Sequence, residues 1–340
     1  MKVHYRFQLL SLATVLSAPV AAHHSTAQYD TTQEVSIEGT VLRYDFRNPH
    51  VYMTLQVTGA NGETYEQEVE AGASSVLLPL GLTPDSVVAG ERVTVQGNPS
   101  RRGARRSVLG RYLVNESGAE LPLNLASRSI RAAANARAES IEGTWFAPSS
   151  GFYGLMGSRQ AWQLTADAQT ASESFNGTTE AAHASCVPVT APTLMVYPVT
   201  TVVDVLDDRV VMDVDWMSSR RVIYLDGREH PQNGERSLHG HSVGHWEGDT
   251  LVVDTQRFSD HREGLAFGIP SGARKRLIET FSLSANGRQL DYSVTMTDPD
   301  HLLAPVEYQS SWDYRPDLMP SNQECDMDVA QKFLQELEGD

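Results

Sequence analysis

The chain has 340 residues, with 27 lysines and arginines against 43 aspartates and glutamates, and a formal net charge of −16. Such acidity argues against nucleic acid or an anionic membrane surface as a partner. The length suits two domains, each large enough to bury its own core.

The first segment reads as a cleavable secretion signal over residues 1–22. Lys2 and Arg6 form its positive start, residues 8–18 its apolar centre and Val20-Ala21-Ala22 its small-residue cleavage site. This predicts a periplasmic or secreted protein whose new amino terminus carries His23 and His24. No later segment is apolar for long enough to span a bilayer, so no membrane insertion is expected. Two cysteines, Cys186 and Cys325, are present, and an even count in an oxidising compartment predicts a disulfide between them.

Residues 23–118 are expected to form the first domain. Short strands are predicted at 34–46, 51–58, 63–69, 91–97 and 107–114, with Asn61-Gly62 as a tight turn between the second and third. The stretch ASSVLLPLGLTPDSVVAG supplies a short helix or covering loop before the fourth strand. Five strands with a helical insertion after the third match a small OB-like barrel; an immunoglobulin-like sandwich would need about seven. Residues 119–140, rich in Ala, Arg, Ser and Asn, read as a linker.

Residues 141–340 are expected to form the second domain, an antiparallel lipocalin-like barrel of about eight strands with a C-terminal helix. Val210, Met212, Val214 and Trp216 alternate with Val211, Asp213 and Asp215, and Leu290, Tyr292, Val294 and Met296 alternate with polar neighbours. Further strands fit 194–206, 219–225, 250–257, 275–283 and 305–313, and Asp226-Gly227 and Asn286-Gly287 read as hairpin turns. Near the end, Val329, Phe333, Leu334 and Leu337 form one helical stripe, which is expected to pack on the barrel.

Through HHSTAQYD, EGTVLRYDFRNPHVYMTL and GERVTVQGNPSR, the first domain resembles a family of uncharacterised bacterial secreted domains that begin with a His-His-Ser run and carry an Asn-Pro-His motif. Through RRVIYLDGREHP and GHSVGHWEGDTLVVDT, the second is similar to another uncharacterised family of secreted bacterial proteins, which often place cysteines as Cys186 and Cys325 are placed here. Neither resemblance implies a reaction.

Four constellations could carry chemistry. An N-terminal His23 offers an amine and an imidazole, and with His24 and His50 of Asn48-Pro49-His50 it forms a nitrogen set suited to copper; Asp30 and Asp45 are further candidate ligands. His239, His241 and His245 could converge on zinc if residues 239–241 are extended. Gly240-His241-Ser242-Val243-Gly244 has the nucleophile-elbow spacing, but a turn and a strand follow it where that elbow needs a helix. Finally, Met212, Trp216, Tyr292 and Met296, with Tyr308 and Trp312, face the barrel interior and could line an apolar ligand cavity.

The resulting expectation is a binding protein for a small hydrophobic molecule, with copper at the amino terminus. The alternative is an enzyme acting on a small apolar substrate inside the second barrel, with His241, Glu247 and Asp249 as acid and base. A structural protein using exposed sheet edges is a third reading. The cluster Arg101, Arg102, Arg105 and Arg106 reads as a solvated loop in so acidic a chain, and nothing in the sequence sets the oligomeric state.

Overall fold

The computed structural model describes residues 28–101, 106–125, 136–177, 179–321 and 323–331. The signal segment, His23, His24, Arg102, Arg105, much of the linker and Phe333, Leu334 and Leu337 lie outside the described residues.

The first domain is built from β1 (Val35–Asp45), β2 (Tyr52–Thr58), β3 (Thr64–Glu70), β4 (Arg92–Pro99) and β5 (Ser107–Val114), with a short helix α1 (Ser74–Leu77) between β3 and β4. The long β1 pairs with β4 through its first half and with β2 through its second, with a register shift between Val41 and Arg43. Gly39 sits at this crossing, where a Cβ would lie 2.9 Å from the Gln56 carbonyl oxygen. β3 and β5 close the barrel as a parallel pair. This is the expected OB-like arrangement, and its strands fall within two residues of the sequence reading. The domain extends past residue 118: β6 (Glu120–Pro122) pairs with β5, and Leu123 is buried in the first core.

The second domain is a closed barrel of nine strands. In chain order these are β7 (Gly143–Phe146), β8 (Thr200–Val205), β9 (Arg209–Val214), β10 (Ser219–Tyr224), β11 (His241–Glu247), β12 (Thr250–Gln256), β15 (Arg276–Leu283), β16 (Gln289–Thr297) and β17 (Val306–Tyr314). β13 (His261–Ala266) and β14 (Ile269–Ser271) form a separate hairpin. Helices α2 (Ser149–Ser158) and α3 (Ala166–Ser174) lie in the long connection between β7 and β8.

A ring whose neighbours all run antiparallel needs an even number of strands. Both rings here are odd, and each accommodates the odd strand with one parallel pair: β3 with β5, and β10 with β11. A parallel pair cannot be joined by a tight turn. Residues 225–240 therefore form a crossover, and Asp226-Gly227 is not the hairpin turn expected there, whereas Asn286-Gly287 does join the antiparallel β15 and β16.

The barrel interior is filled. Trp145, Met212, Phe281, Tyr292, Met296 and Trp312 are all buried in one continuous core. In the midst of it lies an ion pair, with Arg221 and Glu279 each at most 1 % exposed. The guanidinium donates to both carboxylate oxygens at 3.0 and 2.6 Å, the Tyr292 hydroxyl donates to one at 3.0 Å and the Thr255 hydroxyl to the other at 3.2 Å. Such a pair survives burial because its hydrogen-bonding capacity is largely taken up.

The expected disulfide joins Cys186 to Cys325, with their Cα atoms 5.7 Å apart. Past it, Asp326 caps a short terminal helix by accepting from the Asp328 and Val329 amides at 3.0 and 3.2 Å. This segment reaches the first domain as well as the barrel: Cys325 bridges to Asn48, the Asp326 amide donates to the Asn48 carbonyl at 3.0 Å, and Asp326 pairs with Arg47. Among the described residues no helix is long and apolar enough to cross a membrane.

Two stability measurements test this account. Replacing both cysteines by alanine should lower the urea-derived unfolding free energy by about 2–5 kcal/mol, because the bridge closes a long loop. Glu279→Leu alone should cost about 3–5 kcal/mol by leaving Arg221 unpaired, and the double variant Arg221→Met/Glu279→Leu should recover most of that loss.

Candidate functional site

The joint between the domains begins at Asn48, whose side chain is fully buried. Its carbonyl oxygen accepts from the Ser74 hydroxyl at 3.0 Å and from the Ser75 hydroxyl and amide at 3.3 and 3.4 Å, and its amide nitrogen donates to the Gln323 carbonyl at 3.0 Å. One side chain thus ties the end of β1 to the start of α1 and to the C-terminal segment. Pro49 follows and directs the chain into His50.

His50 faces a cavity of about 210 Å³ between the two domains. The first domain supplies His50, Ala73 and Val76; the barrel domain supplies Phe152 of α2, His183, Tyr197, Trp216 and Phe267. The aromatic wall is packed: ring centroids lie 4.4 Å apart for Tyr197 and Trp216, 5.4 Å for Phe152 and Tyr197, and 5.5 Å for Phe152 and Phe267. Trp145 and Trp312, in the barrel core, donate their indole N–H groups to backbone carbonyls at 2.9 and 2.7 Å. Trp216 is equally buried, yet its Nε1 has no hydrogen-bond partner.

The polar end of the cavity is held from behind. His50 Nδ1 lies 3.3 Å from the Ala71 carbonyl oxygen and 3.5 Å from Glu70 Oε1. Glu70 is itself buried and accepts from the Tyr29 hydroxyl at 2.9 Å and from the Gln28 amide at 3.4 Å. Across the cleft, the His183 ring centroid lies 6.3 Å from that of His50. Next to His183 in the chain, the Ala182 amide donates at 2.7 Å to Oε2 of the fully buried Glu263. Burial lifts this carboxyl to about 6 despite that hydrogen bond. The Tyr197 phenol is raised too, first by burial and then by the charge of Glu263.

Of the residues expected to line a ligand cavity, Trp216 lines this one, whereas Met212, Tyr292 and Met296 sit in the packed barrel core. The strand ends at Val214, and the turn after it, with positive φ at Met217 and Ser218, carries Trp216 out of the interior alternation. A larger groove, of about 480 Å³, runs along the outer face of β9 and β10, but of its charged side chains Asp213 and Arg220 pair with one another and Asp215 accepts from the Ser321 amide and hydroxyl.

The three residues expected to act as acid and base are not brought together. His241 opens β11 and stacks on Tyr224, with its Nδ1 3.0 Å from His230 Nδ1. Glu247, which ends that strand, is exposed and pairs with His245 at 3.0 Å, and Asp249 is exposed in the following turn. Six residues of strand span about 20 Å, so His241 cannot share a substrate with the other two. The zinc trio separates for a related reason. Gly240 has a φ of +71°, so 239–241 is not extended: His239 turns towards Arg221 and Lys275, His241 lies on the outer face, and His245 is exposed near the far end of the strand. Ser242 is buried within β11, 2.9 Å from the Thr255 hydroxyl, which excludes an elbow. Among the described residues no three His, Cys, Asp or Glu side chains gather as a metal set.

A family model described as a family of unknown function (DUF6152) matches residues 11–109, and the first domain is similar to it. That span takes in the His50 and Glu70 wall of the cleft and none of the barrel wall. No curated protein matches the chain.

Beyond the cleft, Lys275 is buried with its ammonium donating to the Ala191 and Gly264 carbonyls, and burial lowers it to about 7. His239 and His261 are held at about 4, first by burial and then by nearby positive charge, that of Arg221 and Lys275 on His239 and that of Lys275 on His261. An unfolded chain protonates both near 6.5, whereas the folded one does so only near 4, so stability falls as pH drops across that window. Glu263 works oppositely between about 4.5 and 6, one group against two. The melting temperature should therefore fall between pH 6.5 and 4, and His261→Gln should flatten the decline by removing a contribution of at most about 3 kcal/mol. An unaltered slope in that variant would contradict this assignment.

Proposed function

We propose that this is a periplasmic or secreted binding protein that takes a small, largely apolar ligand in the cleft between its two domains. The observation that carries this reading is the aromatic cavity itself, walled by Phe152, Tyr197, Trp216 and Phe267, with His50 and His183 at its polar end. Ligand sites favour domain interfaces, with an apolar lining and a few polar groups that orient the occupant. The imidazoles of His50 and His183 at the polar end would orient a ligand with one oxygen on an apolar frame. The disulfide is compatible with an oxidising compartment.

Copper belongs to the same proposal, at the amino terminus, with His23, His24 and His50 as nitrogen donors. Its support is that Gln28 and Tyr29 are moored on Glu70, the carboxylate beside His50. Four peptide steps separate His24 from Gln28, a reach of at most about 14 Å in extended chain.

para-Cresol is a suitable probe, being an aromatic ring with one hydroxyl. Calorimetric titration of the metal-free protein should show binding that weakens at least tenfold in Trp216→Ala and Phe267→Ala and is unaffected in Trp246→Ala, an exposed tryptophan elsewhere. Toluene, lacking the oxygen, should bind more weakly. Equal affinity in the Trp216 variant would remove the cleft as the binding site.

A further inference from the structure

We infer that the cleft holds one divalent copper ion shared between the two domains, with His50 of the first and His183 of the second as its imidazole ligands. The inference rests on the cleft being a binding site and deepens the copper reading by supplying a ligand from the barrel domain.

The geometry comes first. A metal–nitrogen distance of about 2.0–2.1 Å puts each ligating ring centroid about 3.1 Å from the ion, so two imidazoles on opposite sides of one ion have centroids about 6.2 Å apart. The observed separation is 6.3 Å, with the rings at 68°. That separation leaves room for one ion between the two rings, and Cu(II) favours a tetragonal plane of nitrogen and oxygen donors.

The tautomer of the neutral His50 ring follows from its partners. The Ala71 carbonyl can only accept, so the proton sits on Nδ1, and Nε2 carries the lone pair. Glu70 lies beside the same Nδ1–H and is fixed by Tyr29 and Gln28. A carboxylate or carbonyl behind a ligating imidazole is the arrangement that orients the ring and strengthens it as a donor.

The other histidines of the described chain lack this combination. His230 and His241 are 3.0 Å apart at Nδ1, too close to admit an ion between those nitrogens. His239 and His261 lie next to the positive charges of Lys275 and Arg221, which oppose a cation. His245 is exposed and His301 leans on Asp298. The disulfide completes the case: His183 is three residues before Cys186, and Cys325 bridges to Asn48, two residues before His50. The disulfide and the backbone bridge therefore bring the segments carrying the two imidazoles together.

Calorimetry and electron paramagnetic resonance with Cu(II), on the full protein processed in vivo and stripped of metal, test the inference. One ion per chain is expected, with nitrogen hyperfine structure. Affinity should fall at least tenfold in His50→Gln and in His183→Gln, and 10- to 100-fold in Glu70→Gln, while His241→Gln leaves it unchanged. Circular dichroism and para-cresol affinity of each variant report on folding and on the cleft. Loss of copper with cresol binding retained supports the shared site. Unchanged copper affinity in His183→Gln overturns it, even if His50→Gln is impaired, because the ion would then belong to the first domain alone. A wild-type protein that binds cresol and no copper refutes the metal and leaves the binding reading intact. Copper binding that depends on His183 in a protein that ignores cresol supports the metal and removes the apolar ligand.

Discussion

The Asn48 side chain is the constraint on which the joint depends. A buried amide must place both its donor and its acceptor, and this one does so on three segments at once: the start of α1, the end of β1 and the C-terminal segment. Removing it would strand several buried polar groups, each at about 1–3 kcal/mol. That is why two domains with separate cores can present their walls to each other at a defined distance, and why His50, two residues on, is directed into the gap.

Both barrels spend their interiors on stability. The larger one is closed around tryptophan, tyrosine and methionine, with the hydrogen-bonded Arg221–Glu279 pair at its centre. An eight-stranded barrel can enclose one small ligand, but ring closure with nine strands here does not create such a space, because the bulky side chains occupy it. The apolar opening lies instead where loops of the two barrels meet. Its walls come from connections: the β1–β2 turn, the β9–β10 turn, the β13–β14 tip and the turn before Cys186.

The elements legible in the sequence were those with period-two patterning and turn residues at their ends. β1 to β5, β9, β15, β16 and β17 all have that signature, and the OB-like order followed from counting them. β11 lacked it: its histidines, glycine and half-exposed positions alternate weakly, so the ninth strand and the parallel pair it forces were not visible. α2 and α3 are short and rich in Gly, Ser and Ala, without a strong apolar stripe. At the site, His50 stood out through its Asn-Pro-His setting and Trp216 through its strand. Glu70, His183, Tyr197, Phe267 and Glu263 did not, because their relation to His50 and Trp216 is set by packing between distant segments. For His183 one signal was present, its position three residues before a bridged cysteine.

The hydrogen bond from Asn48 to the Gln323 carbonyl joins residues 275 apart in sequence. The wall of the cleft nearest the start of the chain and the latch that secures it thus sit at opposite ends of the polypeptide, and the space they enclose belongs to neither domain. Within this chain, the segment matched by the family model supplies His50 with the buried Glu70 behind it, and none of the aromatic wall or the latch. The matched segment therefore carries one side of the cleft's lining, and the cleft is complete only with the barrel and its tail packed against it.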